Sequence, residues 1–402
     1  MQSTSDSNQT GVSLRVGSSS DAPPPIIIGY LTNLYGRQSS NRQGLVISGA
    51  ISYAIDHINN ERPELLGGRR LELLFNDTSA TPVNSTAAVI WQWRHQAVAF
   101  FGPEDTCEVE ATVAAALNLP MISYKCANSA VSNKEAFPTF VRTHPADVNV
   151  VRSVLALLRY FQWNKFALLW FKRSSELASV VANLKARAIA GGASITVDYP
   201  FDDDYKCCMA KESCCGRTWS EMVEKTYKLT RVYVFFGGGS KLSYFLLALK
   251  ARGLLEQGEY VIISVDLNED FKDTTDEGRL ESQKANLFLN HRNDWSQHEK
   301  EAINEAMKSL LVVARRPAES PNYKVFEEKV RQYNKAPPFC LKDLKSLKRQ
   351  RSLPSSSSSS SGTEEKVNMQ RYITPYAANL YDAVILYAEI LSEVGFDDDL
   401  FQ

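Results

Sequence analysis

Seven cysteines, at 107, 126, 207, 208, 214, 215 and 340, are the residues most able to do chemistry in this 402-residue chain. Such a count points to oxidative pairing or metal binding. Cys207-Cys208 and Cys214-Cys215 are vicinal pairs. Zinc ribbons use C-x2-C pairs, so disulfides are preferred here over a metal site. Seven is odd, so Cys340 or a member of the cluster is left free or bridges two chains. Each catalytic signature lacks a required part. Gly237-Gly238-Gly239-Ser240 resembles a phosphate cradle, but Leu242 stands where a dinucleotide loop needs its third glycine, and the Gly-Lys-Ser/Thr of a P-loop is absent. A tight strand-to-helix turn is the simpler reading. His298-Glu299 begins a zinc-protease motif, yet Ala302 occupies the second histidine position. The histidines at 57, 95, 144, 291 and 298 are scattered, and no Gly-x-Ser-x-Gly elbow occurs. The acidic triplets at 202–204 and 397–399 read as solvated loops. No catalysis, cofactor or metal is expected of this chain. Asn-x-Ser/Thr sequons stand at Asn8, Asn76 and Asn84. Asn84, near a helix start, is the better glycan acceptor. Asn76 ends a strand, and its alternative is to point into a cleft.

The elements that must position these groups alternate strand with helix. Residues 1–25 are Ser-rich, end in three prolines and read as a disordered leader. Strands are expected at 26–31, 71–75, 97–101 and 120–124, with helices at 46–58, 83–95 and 108–118 between them. After Phe137-Pro138 and His144-Pro145 the rhythm restarts. Helices at 148–161, 177–190, 219–228 and 242–251 alternate with strands at 165–171, 194–199, 231–236 and 260–265. Apolar strands covered by helices imply parallel sheets. Two runs of four strands predict an α/β protein of two doubly wound, Rossmann-like lobes around a cleft. Lobe 1 spans 26–142 with 372–396 returning to it. Lobe 2 spans 143–340 and includes strand 309–314 and helix 323–333. A basic and serine-rich disordered insertion, 341–371, and a tail, 397–402, complete the division. Cys107 and Cys126 follow the third and fourth strands, whose loops leave at one sheet edge. A bridge between them is within reach and is preferred to two independent buried thiols.

Composition removes several classes. Hydrophobic residues at 44% and charged residues at 23% exclude disorder along most of the chain. Lys+Arg 45 against Asp+Glu 46 gives a net charge of −1, so no overall field draws the chain to nucleic acid or to an acidic membrane. No apolar run approaches the roughly 20 residues of a membrane span, and Met1–Asp21 lacks the apolar core of a signal peptide. As written, the chain shows no secretory signal and no anchor, which sets it against its cysteines.

Five segments carry a resemblance: GLVISGAISYAIDHIN (44–59), FFGPEDTCEVEATVAAALNLPMISYKC (100–126), FPTFVRTHPAD (137–147), FQWNKFALLW (161–170) and YAANLYDAVILYAEIL (376–391). Together they resemble the extracellular ligand-binding region of membrane receptors, with the type I periplasmic-binding fold. They are most similar to receptor guanylyl cyclases, relatives of the natriuretic peptide receptors (the ANF-receptor family). That resemblance implies sensing of an extracellular ligand, usually by a homodimer, at the outer face of the plasma membrane. The membrane helix, kinase-like domain and cyclase that follow in the family are not in this chain. Natriuretic peptide receptors pair their Gly-Pro-x-Cys cysteine with an upstream one. None lies upstream of Cys107 here, so Cys126 must serve, and that family's chloride site is not carried over.

The resemblance implies a peptide or other extracellular ligand. Ligands of open α/β sheets approach the carboxyl ends of strands, which nominates Glu104, Asp105, Tyr124, Lys125, Asn128, Trp170 and Asp266. The competing structural roles are a capping box for Asp105 with Glu108 and a core position for Trp170. Metabotropic glutamate-type receptors resemble the chain at Ile122-Ser123-Tyr124, but their carboxylate-binding Ser and Thr are replaced by Cys126 and Ala127. An amino-acid ligand is therefore disfavoured. The rivals are a soluble intracellular α/β enzyme or regulator with free thiols, and a signalling-dead receptor that sequesters ligand.

Overall fold

The computed structural model describes residues 23–35, 43–104, 107–172, 175–202, 214–265, 295–314, 322–341 and 373–395. They form two compact units, one from residues 1–145 and 320–402, the other from 146–319. In unit 1 the elements are β1 (Ile26–Thr32), α1 (Gly44–Ile47), α2 (Gly49–Asp56), β2 (Leu71–Asp77), α3 (Pro82–Arg94), β3 (Ala99–Phe101), α4 (Glu108–Ala116), β4 (Met121–Ser123) and β5 (Phe140–Arg142). Unit 2 contains α5 (Asp147–Tyr160), β6 (Lys165–Phe171), α6 (Ser175–Ala190), β7 (Ser194–Phe201), α7 (Cys214–Thr226), β8 (Val232–Phe236), α8 (Gly239–Ala251), β9 (Val261–Val265), α9 (Gln297–Ala306) and β10 (Leu310–Val313). Two further helices, α10 (Tyr323–Lys335) and α11 (Tyr376–Val394), return to unit 1.

Both sheets have five parallel strands, ordered β2-β1-β3-β4-β5 and β10-β9-β8-β6-β7. Numbered within each unit, both orders are 2-1-3-4-5, that of a doubly wound sheet. The two-residue period of a strand explains the layers. On β1, Ile26, Ile28 and Tyr30 face α2, α10 and α11, while Leu31 faces the opposite layer of α3 and α4. On β6, Ala167 and Leu169 join α7, α8 and α9, while Phe166 and Leu168 join α5 and α6.

Three differences from the sequence-based expectation have physical causes. Sheet 1 has a fifth strand that was not expected, β5, only three residues long behind Pro138 and too short for an alternation signal, whereas β10 lies within the strand expected at 309–314. The helix expected over 46–58 is divided by Ser48 and ends in a π-helical turn, His57–Glu61. Helix α10, expected in lobe 2, packs on unit 1. Asn334 accepts from the Gly49 amide through Oδ1 and donates to the Val46 carbonyl through Nδ2, both at 2.6 Å. A Cβ on Gly49 would stand 2.6 Å from the Asn334 amide and closer still to the Val330 carbonyl. Only glycine admits α10 at this distance. The leader through residue 22, the insertion from 342 to 372 and the tail from 396 lie outside the described residues.

Candidate functional site

In a 2-1-3-4-5 sheet the crevice opens at the carboxyl ends of the first and third strands. In unit 1 those are the exits of β1 and β3, and the two loops are bolted together there. Gly102, with φ of +126°, lets the loop after β3 pass so close to β1 that a Cβ would lie 2.7 Å from the Leu31 carbonyl. Glu104 then turns inward, 3% exposed. Its Oε1 accepts from Thr32 Oγ1 at 2.8 Å, the Asn33 amide at 3.2 Å and Tyr124 Oη at 2.8 Å. Burial first, and the Glu104 charge second, hold the Tyr124 phenol well above its ordinary range, so it stays a proton donor. Beside it Tyr30 Oη lies 3.1 Å from Ser48 Oγ.

The loops after β3 and β4 are joined twice. Cys107 and Cys126 form a buried disulfide with Cα atoms 6.1 Å apart. Ser123 Oγ donates to the Pro103 carbonyl at 2.8 Å and accepts from the Cys126 amide at 2.9 Å. Arg142, ending β5, donates to the Asn128 carbonyl at 2.8 Å. At the end of β2, Asp77 accepts from the amides of Leu34 at 2.9 Å and Tyr35 at 3.2 Å. From α11, Asn379 donates to the Tyr124 carbonyl at 3.2 Å.

Of the nominated residues, Glu104, Tyr124, Lys125 and Asn128 come together at this edge. Glu104 and Tyr124 are internal clamps. The Lys125 ammonium is buried 5.8 Å from the Tyr376 ring centroid. Asn128 is half-buried, and its Nδ2 donates to Glu108 Oε1 at 2.6 Å. Trp170 belongs to unit 2, where its Nε1 donates to Asp198 Oδ1 at 2.9 Å and Lys185 stands over the ring at 5.1 Å. Asp105 and Asp266 lie outside the described residues, and with Asp105 goes its expected capping box. Thr32, Asp77, Ser123, Arg142 and Asn379 were not anticipated. Asp77 and Ser123 end strands and could have been found by that rule. Asn379, 255 residues from its partner, carries no such signal.

The remaining motifs are structural where they are described. Glu299 closes a capping box with Ser296, accepting from the Ser296 amide at 2.8 Å, and starts α9. Gly238, with φ of +76°, makes the turn into α8. Cys207 and Cys208 lie outside the described residues, and Cys214 and Cys215 open α7. Asn84 is exposed on the first turn of α3. Asn76 is turned toward α3 rather than a cleft, since its Oδ1 accepts from Gln92 Nε2 at 3.0 Å. Among the described residues no three His, Cys, Asp or Glu side chains could hold a metal, and no helix is long and apolar enough to cross a membrane.

Known proteins agree with this geometry. A family profile described as "Receptor family ligand binding region" matches residues 46–402. Receptor-type guanylate cyclase Gyc76C of Drosophila melanogaster is 37% identical over 365 residues, 90% of this chain and 22% of that protein. The Resact receptor of Arbacia punctulata is 28% identical over 312 residues, 73% of this chain and 30% of its own length. Guanylate cyclase 32E of Drosophila melanogaster is 33% identical over 228 residues, 55% and 19% of the two chains. The chain thus spans less than a third of each of these relatives. With its paired 2-1-3-4-5 sheets, it belongs to the family of receptor ligand-binding regions, in the form found in receptor-type guanylate cyclases.

Proposed function

We propose that the chain is the extracellular sensor of a single-pass receptor guanylate cyclase. It binds a peptide as a homodimer at the outer face of the plasma membrane and passes a rearrangement to catalytic parts elsewhere in the receptor. The observation that carries this reading is the buried Cys107–Cys126 bridge. Such bridges persist in oxidising compartments, and the bridge removes two of the free thiols on which an intracellular rival depends. It also leaves Cys126 without a donor beside Ala127, so an amino-acid carboxylate finds no partner at these two positions.

Ligand contacts come from Asp105, Lys125, Asn128, Trp170 and Asp266, while Glu104 and Tyr124 keep the loops in place. Asn84 carries a glycan, and Asn76, held by Gln92, is the weaker acceptor. The test is secretion of the chain behind a supplied signal peptide, non-reducing peptide mass spectrometry, then calorimetry against a peptide panel. Lys125→Ala, Asn128→Ala and Trp170→Ala should each weaken the peptide found by roughly tenfold, with melting little changed. Unaltered affinity in all three sinks the site, and fully reduced Cys107 and Cys126 sink the extracellular reading.

A further inference from the structure

The edge of unit 2 opposite its strand exits carries cations and aromatic rings that recognition at those exits does not use. Between Val148 and Val197 the only acidic residue is Glu176, against cations at 152, 159, 165, 172, 173, 185 and 187. Lys172 and Lys185 pair with Asp202 and Asp198. Arg152, Arg159 and Lys165 are exposed and have no ion-pair partner among the described residues. Arg187 is exposed and donates to Asn183. Arg152 and Arg159 are seven residues apart on α5, hence on one face about 10 Å apart.

Aromatic rings stand among these cations. Tyr160 is 81% exposed and Phe161 44%. Phe161 stacks on the half-buried Trp163 with centroids 4.5 Å apart, and Tyr160 meets Phe161 edge-on at 5.0 Å. A Cβ on Gly191 would stand 2.9 Å from Arg159 Nη2 and 3.2 Å from the Arg187 carbonyl. The Arg159 guanidinium therefore reaches the turn after α6, at a residue with no side chain to cover it. Lys165 opens β6 in register with Ser194 of β7. Helix α5 leads into β6 and α6 into β7, so rings and cations share the amino-terminal edge of the sheet.

Charge and ring chemistry restrict the occupant. A second copy would bring unpaired cations against unpaired cations. An acidic polypeptide would engage the arginines and leave Tyr160 and Phe161 without a reason to protrude. A sulfated polysaccharide engages both. Guanidinium forks hold oxyanions bidentately, and the partly positive C–H faces of sugar rings suit the negative face of an aromatic ring. Such glycans lie outside the cell, where the sensor is placed, and the inference rests on that placement. We propose that this edge of unit 2 binds a sulfated glycosaminoglycan, with Arg152, Arg159, Lys165 and Arg187 at its anionic groups and Tyr160 and Phe161 against its sugar rings.

The test is calorimetry on the full chain, secreted and with the Cys107–Cys126 bridge mapped. The probes are a heparin oligosaccharide, the same oligosaccharide desulfated, and polyglutamate. Heparin should bind at least about tenfold tighter than either other probe, and more weakly as salt rises, because bound cations release counterions. Arg152→Glu/Arg159→Glu should lower heparin affinity at least about tenfold. Tyr160→Ser/Phe161→Ser should lower it about fivefold with the salt dependence unchanged. Circular dichroism verifies each fold, and Tyr160→Ser alone, at the more exposed ring, replaces the double variant if that unfolds. Several results overturn the proposal. Bridged protein that ignores heparin does so while leaving the peptide-sensor reading intact. Undiminished heparin affinity in the tyrosine variants marks a plain polycation. Equal affinity for polyglutamate assigns the patch to an acidic polypeptide. Self-association that Tyr160→Ser abolishes assigns it to a second copy. Reduced Cys107 and Cys126 would instead remove the extracellular placement on which both readings stand.

Discussion

Sheet 1 and sheet 2 run their strands in the same order, yet the chain completes the two units differently. Unit 2 is one continuous stretch, 146–319, whereas unit 1 needs 320–402 to cover one face of its sheet. Their interiors differ to match. Unit 2 stacks Phe201, Trp219, Phe235 and Phe245 on one another between β8 and its helices. Unit 1 ties its strand exits with phenols, Glu104 and a disulfide. An aromatic cluster holds a sheet together wherever its surfaces meet. A polar network holds particular loops in one arrangement, because each buried group left unpaired is costly. Among the described residues, the unit assembled from distant segments has its strand-exit loops fixed by directional bonds.

That contrast can be broken most severely by truncation. Removing 320–402 strips α10 and α11 from unit 1 and exposes the apolar face of Ile28, Tyr30, Phe101 and Tyr124. Unit 1 should then fail to fold, while the fragment 146–319 retains a cooperative melt. Circular dichroism and limited proteolysis read both. A separately stable 23–145 would remove the distinction.

Alkaline pH should separate the units next. Burial raises the phenols of Tyr30, Tyr124 and Tyr387 well above the ordinary value, Glu104 adding to the first two. In unit 2, burial pushes Tyr233 up to about 12. Above pH ~10 the unfolded chain releases these protons while the folded chain keeps them, so the unfolded state binds fewer and stability falls as pH rises. The stabilisation is complete below pH ~10 and is lost toward the raised folded values. Each phenol contributes a slope of about 1.4 kcal/mol per pH unit. Denaturant melts at pH 8 and pH 11 should show the larger loss in unit 1, and equal losses would contradict the assignment.

The disulfide gives a smaller, local effect. Cys107→Ser/Cys126→Ser opens a loop of 19-residue separation and should cost unit 1 about 3 kcal/mol. Melting of unit 2 should not move. Smaller again is the pair Gly49→Ala and Gly192→Ala. The first drives a methyl into α10 and should cost about 2 kcal/mol. The second, at φ of +79° with nothing within 4 Å, should cost about 1 kcal/mol through backbone strain alone. Equal costs would show that α10 can move away from α2.

Local pattern was enough for most elements. The apolar strand Lys165–Phe171 and the Ala-rich helix from Glu108 were legible because each carries its period within itself. Helix Gln297–Ala306 was passed over, its acidic face hiding Ile303 and Ala306, the two residues it buries. The site was legible in part. Strand-exit positions could be nominated, but whether a nominated side chain faces solvent or its own loop is decided by neighbours. Glu104 and Tyr124 are the example, since both stand at an exit, yet Glu104 is taken up by Thr32 and Asn33, and Tyr124 donates to Glu104 and lies 3.0 Å from the Leu31 carbonyl.

By itself the sequence determined the alternation of strands and helices, the reach between Cys107 and Cys126, and the family, because these rest on residues close in the chain or on blocks that keep their order. Tertiary structure alone decided that α10 belongs to unit 1, that Glu104 is a clamp and that Asn379 holds Tyr124. Each of those depends on contacts between segments far apart in the chain, and no local period or propensity encodes which distant surface a helix face will meet.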